Sequence, residues 1–217
     1  MRAEIVVYEG VDELDAIAPF EVLSVAAGSA RLSVELVCLD ARQSVRTAHG
    51  IELRVPAVLG APDLLIVPGG GWAAGVSTGV RAEIARGALP AAVRACHERG
   101  AILASVCTGA MLLAHAGLLT GRPATTHHAA RDALAGYGAR LIDARIVDDG
   151  DIVSAAGVTS GLDLALWLVE RCFGGALAVA VERQLEYVRR GPIWQAPREQ
   201  HRAAGESRGP ETTKTAR

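Results

Sequence analysis

The feature that most constrains this chain is a regular alternation of short, unbroken apolar runs with amphipathic stretches. Glu4–Tyr8 (EIVVY), Leu32–Leu39, Leu64–Val67 (LLIV) and Ala101–Ser105 (AILAS) are each bounded by Gly, Pro or Asp. A run that is apolar at nearly every position is built for burial on both faces, as in a parallel strand. Between the runs lie helical patterns at Pro19–Ala27, at Arg81–Arg99 with a break at Pro90, and at Gly109–Ala116. Parallel strands require crossovers, so the alternation predicts a doubly wound, mostly parallel α/β sheet with helices on both faces.

The remainder extends this pattern. Val45–Leu53, with His-Gly near its middle, reads as a small hairpin. After Gly121 come a helix near Ala129–Tyr137 and strands near Arg140–Val147 and Ile152–Ala155, joined by the turn signal Asp148–Asp151 (DDGD). Thr159–Phe173 reads as a helix opening on a hydroxyl cap and ending before Gly174-Gly175, and a further helix runs to about Tyr187. From Gly191 the composition turns to Pro, Gln, Arg, Ser and Thr. The expectation is one domain over 1–190 and a basic, solvated tail over 191–217.

Charge narrows the partners. Residues 1–188 carry 15 basic and 21 acidic groups, and 189–217 carry 7 and 3, so the formal −2 is an acidic body offset by a basic tail. An acidic body is a poor nucleic-acid surface. Cys38, Cys96, Cys107 and Cys172 lie far apart, without CxxC or zinc-type spacing, so neither a disulfide framework nor a metal site is expected. The apolar stretch Ala101–Leu119 is broken by Ser105, Thr108, Gly109, His115 and Gly117, which suits strand, turn and helix better than a membrane span. A soluble, cytoplasmic protein with no membrane, nucleic-acid or cofactor partner is the expectation.

Three features could carry chemistry. In Ala101–Gly109 (AILASVCTG) an apolar strand runs directly into Cys107, then Thr108 and Gly109, then a helix. Such a side chain stands at the C-terminal edge of the sheet, where open α/β folds bind ligands. A helix N-terminus there would lower the thiol pKa. A buried structural cysteine is the competing reading, and it is kept for Cys38, Cys96 and Cys172. Second, Pro68-Gly69-Gly70-Gly71 follows LLIV and could turn backbone N–H groups toward developing negative charge. Third, Asp15 follows the first strand, ahead of a helix read as starting at Pro19; it is either a helix cap or an acid facing the cysteine.

LDAIAPFEVLS, the IVPGGG loop, ASVCTGAMLLAHAGLLTGRPATTHH, GVTSGLDLAL and RQLEY, in this order over about residues 4–190, together resemble the ThiJ/PfpI superfamily. Within it they are most similar to the branch of isonitrile hydratases and of the ligand-binding half of AraC-type regulators. The resemblance implies a flavodoxin-like fold, a homodimer and a small-molecule substrate. It places Cys107 as nucleophile and Asp15 as the acidic partner, with Gly70 and Thr108 as backbone donors. Peptidase-like members carry His after the nucleophile; here Thr108 stands there, as in the hydratases. His127 matches the family motif, whereas His128 replaces a Trp. Adjacent residues point apart in a regular element, so the pair is not expected to hold a metal.

The reaction implied is hydration of an isonitrile to an N-substituted formamide through a cysteine thioimidate, a hydro-lyase chemistry. Cys107 would attack the terminal carbon while protonated Asp15 supplies the proton and Thr108 orients the sulfur. Burial and the adjacent thiolate would keep Asp15 protonated. Gly71, Trp72 and His127 are pocket candidates. The rivals are a non-catalytic small-molecule sensor and a thiol-dependent or oxidation-sensing protein. Regulators append a DNA-binding region, for which the 27 residues after Arg190 are too few.

Overall fold

A computed structural model of the chain describes residues 1–42, 44–72 and 77–197. In chain order the elements begin with β1 (Arg2–Val6), α1 (Glu13–Ala27), β2 (Ser33–Cys38), β3 (Ser44–Arg46), β4 (Glu52–Arg54), β5 (Ala57–Val58) and β6 (Leu64–Val67). Next come α2 (Val80–Arg86), α3 (Ala88–Glu98), β7 (Ile102–Ser105), α4 (Ala110–His115), β8 (Pro123–Ala124) and α5 (Arg131–Gly136). The remainder is β9 (Arg140–Leu141), β10 (Ile146–Asp148), β11 (Ile152–Ala155), α6 (Ser160–Phe173), α7 (Gly175–Gln184) and β12 (Ile193–Gln195).

Eight strands form the central sheet in the order β12-β10-β11-β7-β6-β1-β2-β5. Pairing is parallel from β11 to β5. β10 runs antiparallel to β11 and parallel to β12. The unbroken apolar runs lie at the centre: β6 is buried at all four positions, and Ile5, Val6, Leu103 and Ala104 are fully enclosed. Helices α1, α6 and α7 pack together, and α2, α3, α4 and α5 form the second layer. The mostly parallel, doubly wound arrangement is therefore the one expected from the alternation, and it fits the flavodoxin-like fold that the resemblance implied.

Several local expectations are corrected. Helix α1 starts at Glu13 rather than Pro19, and its cap is Asp12, whose carboxylate accepts the Leu14 N–H at 3.0 Å. Pro19 lies inside the helix, where its missing N–H leaves the Asp15 carbonyl without its usual partner four residues on. The break expected at Pro90 falls at Gly87, which takes the left-handed conformation at φ +74°; Pro90 sits in the first turn of α3, where no N–H is needed. The expected strand 140–147 is two strands: β9 pairs with β8 in a separate ribbon, and only β10 joins the sheet. The hairpin expected over 45–53 forms as β3 and β4.

The boundary expected at residue 190 is also moved. Strand β12 adds to the sheet edge through Ile146↔Ile193 and Asp148↔Gln195, and the Ala196 N–H bonds to the Asp148 carbonyl at 2.9 Å. Ile193 and Trp194 supplied the apolar surface that polar neighbours masked in the sequence. The rest of the expected tail, 198–217, lies outside the described residues. Among the described residues no helix is long and apolar enough to cross a membrane.

Candidate active site

Successive strands β1 and β2 step one way across the sheet, while β6 and β7 step the other. The strand order therefore reverses between β1 and β6, and loops at their C-terminal ends diverge to leave a crevice. Asp15 follows β1, the Gly loop follows β6 and Cys107 follows β7, so topology brings all three to that crevice.

Cys107 occupies a one-turn 3-10 segment, Cys107–Gly109, between β7 and α4. Its φ is +58°, a left-handed conformation that a side-chain-bearing residue adopts only when its surroundings enforce it. They do so on both sides. The Cys107 N–H donates to the Ala156 carbonyl at 2.8 Å, and the Thr126 hydroxyl donates to the Cys107 carbonyl at 2.8 Å. A Cβ on Gly109 would fall 2.0 Å from the Val67 carbonyl oxygen, so only glycine lets this turn sit against β6.

Asp15 is completely buried in the first turn of α1. Its Oδ2 accepts the Gly69 N–H at 2.9 Å, while Oδ1 is buried with no hydrogen-bond partner. With Asp12 capping the helix, Asp15 is free of that role. Burial, helped by the Asp12 charge, pushes the Asp15 carboxyl up to about 8, against the Gly69 hydrogen bond and the neighbouring Cys107 thiol, which lower it. The second raising influence is thus Asp12 rather than the thiolate expected from sequence. Burial, and then the Asp15 charge, push the Cys107 thiol up to about 12. The lowering expected from a helix N-terminus does not prevail, because α4 proper begins three residues later and the thiol is 6% exposed.

The backbone N–H groups of Val158 and Thr108 sit beside the sulfur and act to lower its pKa. Thr108 was among the expected donors; Val158 was not. Gly70 does not fill the expected role, since its N–H donates to Thr108 Oγ1 at 3.0 Å. The glycine that the site needs for space is Gly69, where a Cβ would lie 2.5 Å from Thr108 Oγ1 and 2.9 Å from Asp15 Oδ2. Tyr8, also missed, tethers this loop from β1's end by donating to the Pro68 carbonyl at 2.6 Å.

Two of the remaining candidates line a cleft, and the third, His127, lies behind the lining of another. Gly71 and Trp72 line one of about 300 Å³ with Glu9, Gly10 and Arg46, and the Arg81 guanidinium lies 4.3 Å over the Trp72 ring. A larger cleft, about 450 Å³, is lined by Thr126, Ala156 and Gly157, which touch the cysteine turn or His127, and by His128, Arg131 and Arg145. His127 sits against Gly157, and its Nδ1 accepts the Ala129 N–H at 3.2 Å. Burial and the neighbouring His128 hold its pKa below the usual histidine value. The two rings do not diverge as expected; their centroids are 4.1 Å apart, because His127 is extended while His128 begins a 3-10 turn. Among the described residues no group of three or more His, Cys, Asp or Glu side chains could hold a metal ion.

Residues 1–171 match the DJ-1/PfpI family. An isonitrile hydratase of Pseudomonas putida is 34% identical over 186 residues, covering 84% of this chain and 77% of that protein. The crystal structure of a ThiJ/PfpI family protein from Pseudomonas syringae superimposes with a TM-score of 0.77 at 28% identity, covering 88% of this chain and 76% of that one. That of an AraC family transcriptional regulator from Pseudomonas putida does so with 0.71 at 27% identity, covering 85% and 98%.

Proposed function

The chain belongs to the DJ-1/PfpI family, and from that premise we propose that it is a cysteine-dependent isonitrile hydratase converting an isonitrile to an N-substituted formamide. The observation that carries this reading is the unpartnered, buried Oδ1 of Asp15 beside a protonated Cys107. Below about pH 8 the pair holds two protons and no charge, a state suited to adding S–H across a carbon that needs both a nucleophile and a proton. The 34% identity to an isonitrile hydratase supports the same chemistry.

In this mechanism the isonitrile carbon enters between sulfur and Oδ1. The sulfur forms the C–S bond, Asp15 gives its proton to that carbon, and the thiol proton passes to the carboxylate left behind. The product is a thioformimidate with Asp15 again protonated. Water then adds to the same carbon while Asp15 gives its proton to the nitrogen and takes one from the water. Collapse breaks the C–S bond, returns a proton to the sulfur and releases the formamide. The Thr108 and Val158 N–H groups steady negative charge on sulfur at each step. A homodimer, as the resemblance implies, would cover exposed Leu14 and Ile51; these lie where the hairpin residue His49 meets Glu13 at the start of α1.

The test is incubation with a simple alkyl isonitrile, following formamide formation. Wild type turns over and Cys107→Ala does not; turnover that survives this substitution refutes the nucleophile. The second reading, a ligand sensor, is favoured by the likeness to an AraC family regulator. An inert wild type whose melting temperature rises with the isonitrile would support it instead.

A further inference from the structure

Val158, whose N–H acts to lower the Cys107 pKa, sits in a segment whose conformation needs explaining. Val158 has φ +25°, a region that β-branched side chains avoid, so it persists only where the surroundings over-determine it. Its neighbour Thr159 immediately precedes α6 and is the residue whose hydroxyl would be expected to cap that helix. It makes no capping bond. Its Oγ1 instead accepts from Arg145 Nη2 at 3.1 Å.

Arg145 grips this segment at both ends. Its own carbonyl accepts the Ala156 N–H at 2.9 Å, and the Ala156 carbonyl in turn accepts the Cys107 N–H at 2.8 Å. Its guanidinium Nε donates to Asp163 Oδ2 at 2.7 Å, anchoring the grip to a carboxylate buried in α6. The same Asp163 accepts the Tyr187 hydroxyl at 3.0 Å and the Arg190 N–H at 2.7 Å, so the C-terminal segment closes over the anchor.

We propose that Arg145 is a positioning residue for Cys107: by holding the Ala156 N–H and clamping Thr159 to Asp163, it fixes the 156–159 turn that bonds the Cys107 backbone and lies beside its sulfur. It touches neither the sulfur nor Asp15, and acts only through the turn. The inference rests on Cys107 as the reactive group of the proposed site and is independent of the substrate named for it.

The experiment follows alkylation of Cys107 by iodoacetamide in the full chain, by mass spectrometry of its peptide, at several pH values. The ionisable side chains that perturb Cys107, or are perturbed by it, are Asp15 and Tyr8, and both are retained in every variant. Arg145→Met and Thr159→Val should each slow the reaction about tenfold at a given pH by loosening the turn that presents its N–H groups to the thiolate. Arg145→Lys, which keeps one donor, should fall between. Cys172, partly exposed and remote from the clamp, should react at the wild-type rate in all of them and so reports an intact fold. Thr159→Val keeps the ion pair with Asp163, so a failure of Arg145→Met to fold leaves the test standing. A wild-type or faster Cys107 rate in Thr159→Val, with Cys172 unchanged, overturns the proposal. Loss of isonitrile turnover in wild type with these alkylation shifts preserved would refute the hydratase reading and keep the clamp.

Discussion

Replacing Asp15 with Asn should make Cys107 a better nucleophile and a worse catalyst at once. In the wild type the first proton leaves the pair near pH 8 and the second near 12, so the thiol ionises against an existing carboxylate. Two like charges 4 Å apart at an effective dielectric of about 20 repel by about 4 kcal/mol. If solvent and relaxation remove half, about 2 kcal/mol remains, or about 1.5 pKa units and a thirtyfold change in thiolate population. The asparagine variant loses this repulsion, yet burial still holds its thiol above the ordinary value. Alkylation of Cys107 in Asp15→Asn should therefore run at least about tenfold faster than wild type at about pH 10. At about pH 6, where wild-type Asp15 is itself neutral, the two rates should converge. Isonitrile hydration should meanwhile fall about a hundredfold or more, because the amide cannot deliver a proton to carbon. Equal acceleration at both pH values, or none at either, would refute the coupling. Stability supplies a check of sign: a carboxyl raised to about 8 keeps its proton when folded and loses it near 4 when unfolded. Wild type should thus lose stability as pH rises from about 4 to about 8, and Asp15→Asn should not.

Two further outcomes follow from packing and charge. Gly109→Ala places a Cβ 2.0 Å from a β6 carbonyl and should cost more than about 3 kcal/mol or prevent folding, read by urea denaturation; a loss under about 1 kcal/mol would contradict the close approach. Arg122→Gln removes the guanidinium shared by Asp149 and Asp151, with His97 Nε2 2.6 Å from Asp151, and should destabilise by about 1–3 kcal/mol near neutrality. Although burial opposes it, Arg122 and then His97 bring Asp151 down to about 2. The stabilisation is complete above the unfolded value near 4 and is lost as pH falls through about 2, so acid titration of the two melting temperatures should show them converging there.

The sheet was legible because burial on both faces leaves a mark that needs no partner to interpret. LLIV and AILAS are apolar throughout, and their order relative to the helices dictates crossovers. Cys107, Thr108 and Asp15 could be singled out for a related reason: each lies in the connection that leaves a strand's C-terminal end, Cys107 and Thr108 just after β7 and Asp15 in the first turn of the helix after β1, and strand ends in such a fold point to one crevice. What resisted reading was set by contacts between distant segments. Val158 looks like an ordinary apolar residue, and only the Arg145 clamp gives its N–H a use. Gly70 and Gly69 are indistinguishable in a run of three glycines until Thr108 and Asp15 stand against them. Pro19 suggested a helix start, but packing of α1 against α6 and α7 outweighs the single hydrogen bond it forfeits.

Asp163 receives Tyr187 and Arg190 as well as Arg145. During synthesis, the segments bearing Asp15 and Cys107 therefore leave the ribosome well before the last residues that fix the anchor. On a nascent chain the Asp163 carboxylate gains its full set of partners only when residues near 190 dock. The order of translation thus leaves the closing of this anchor to one of the last segments of the domain to emerge.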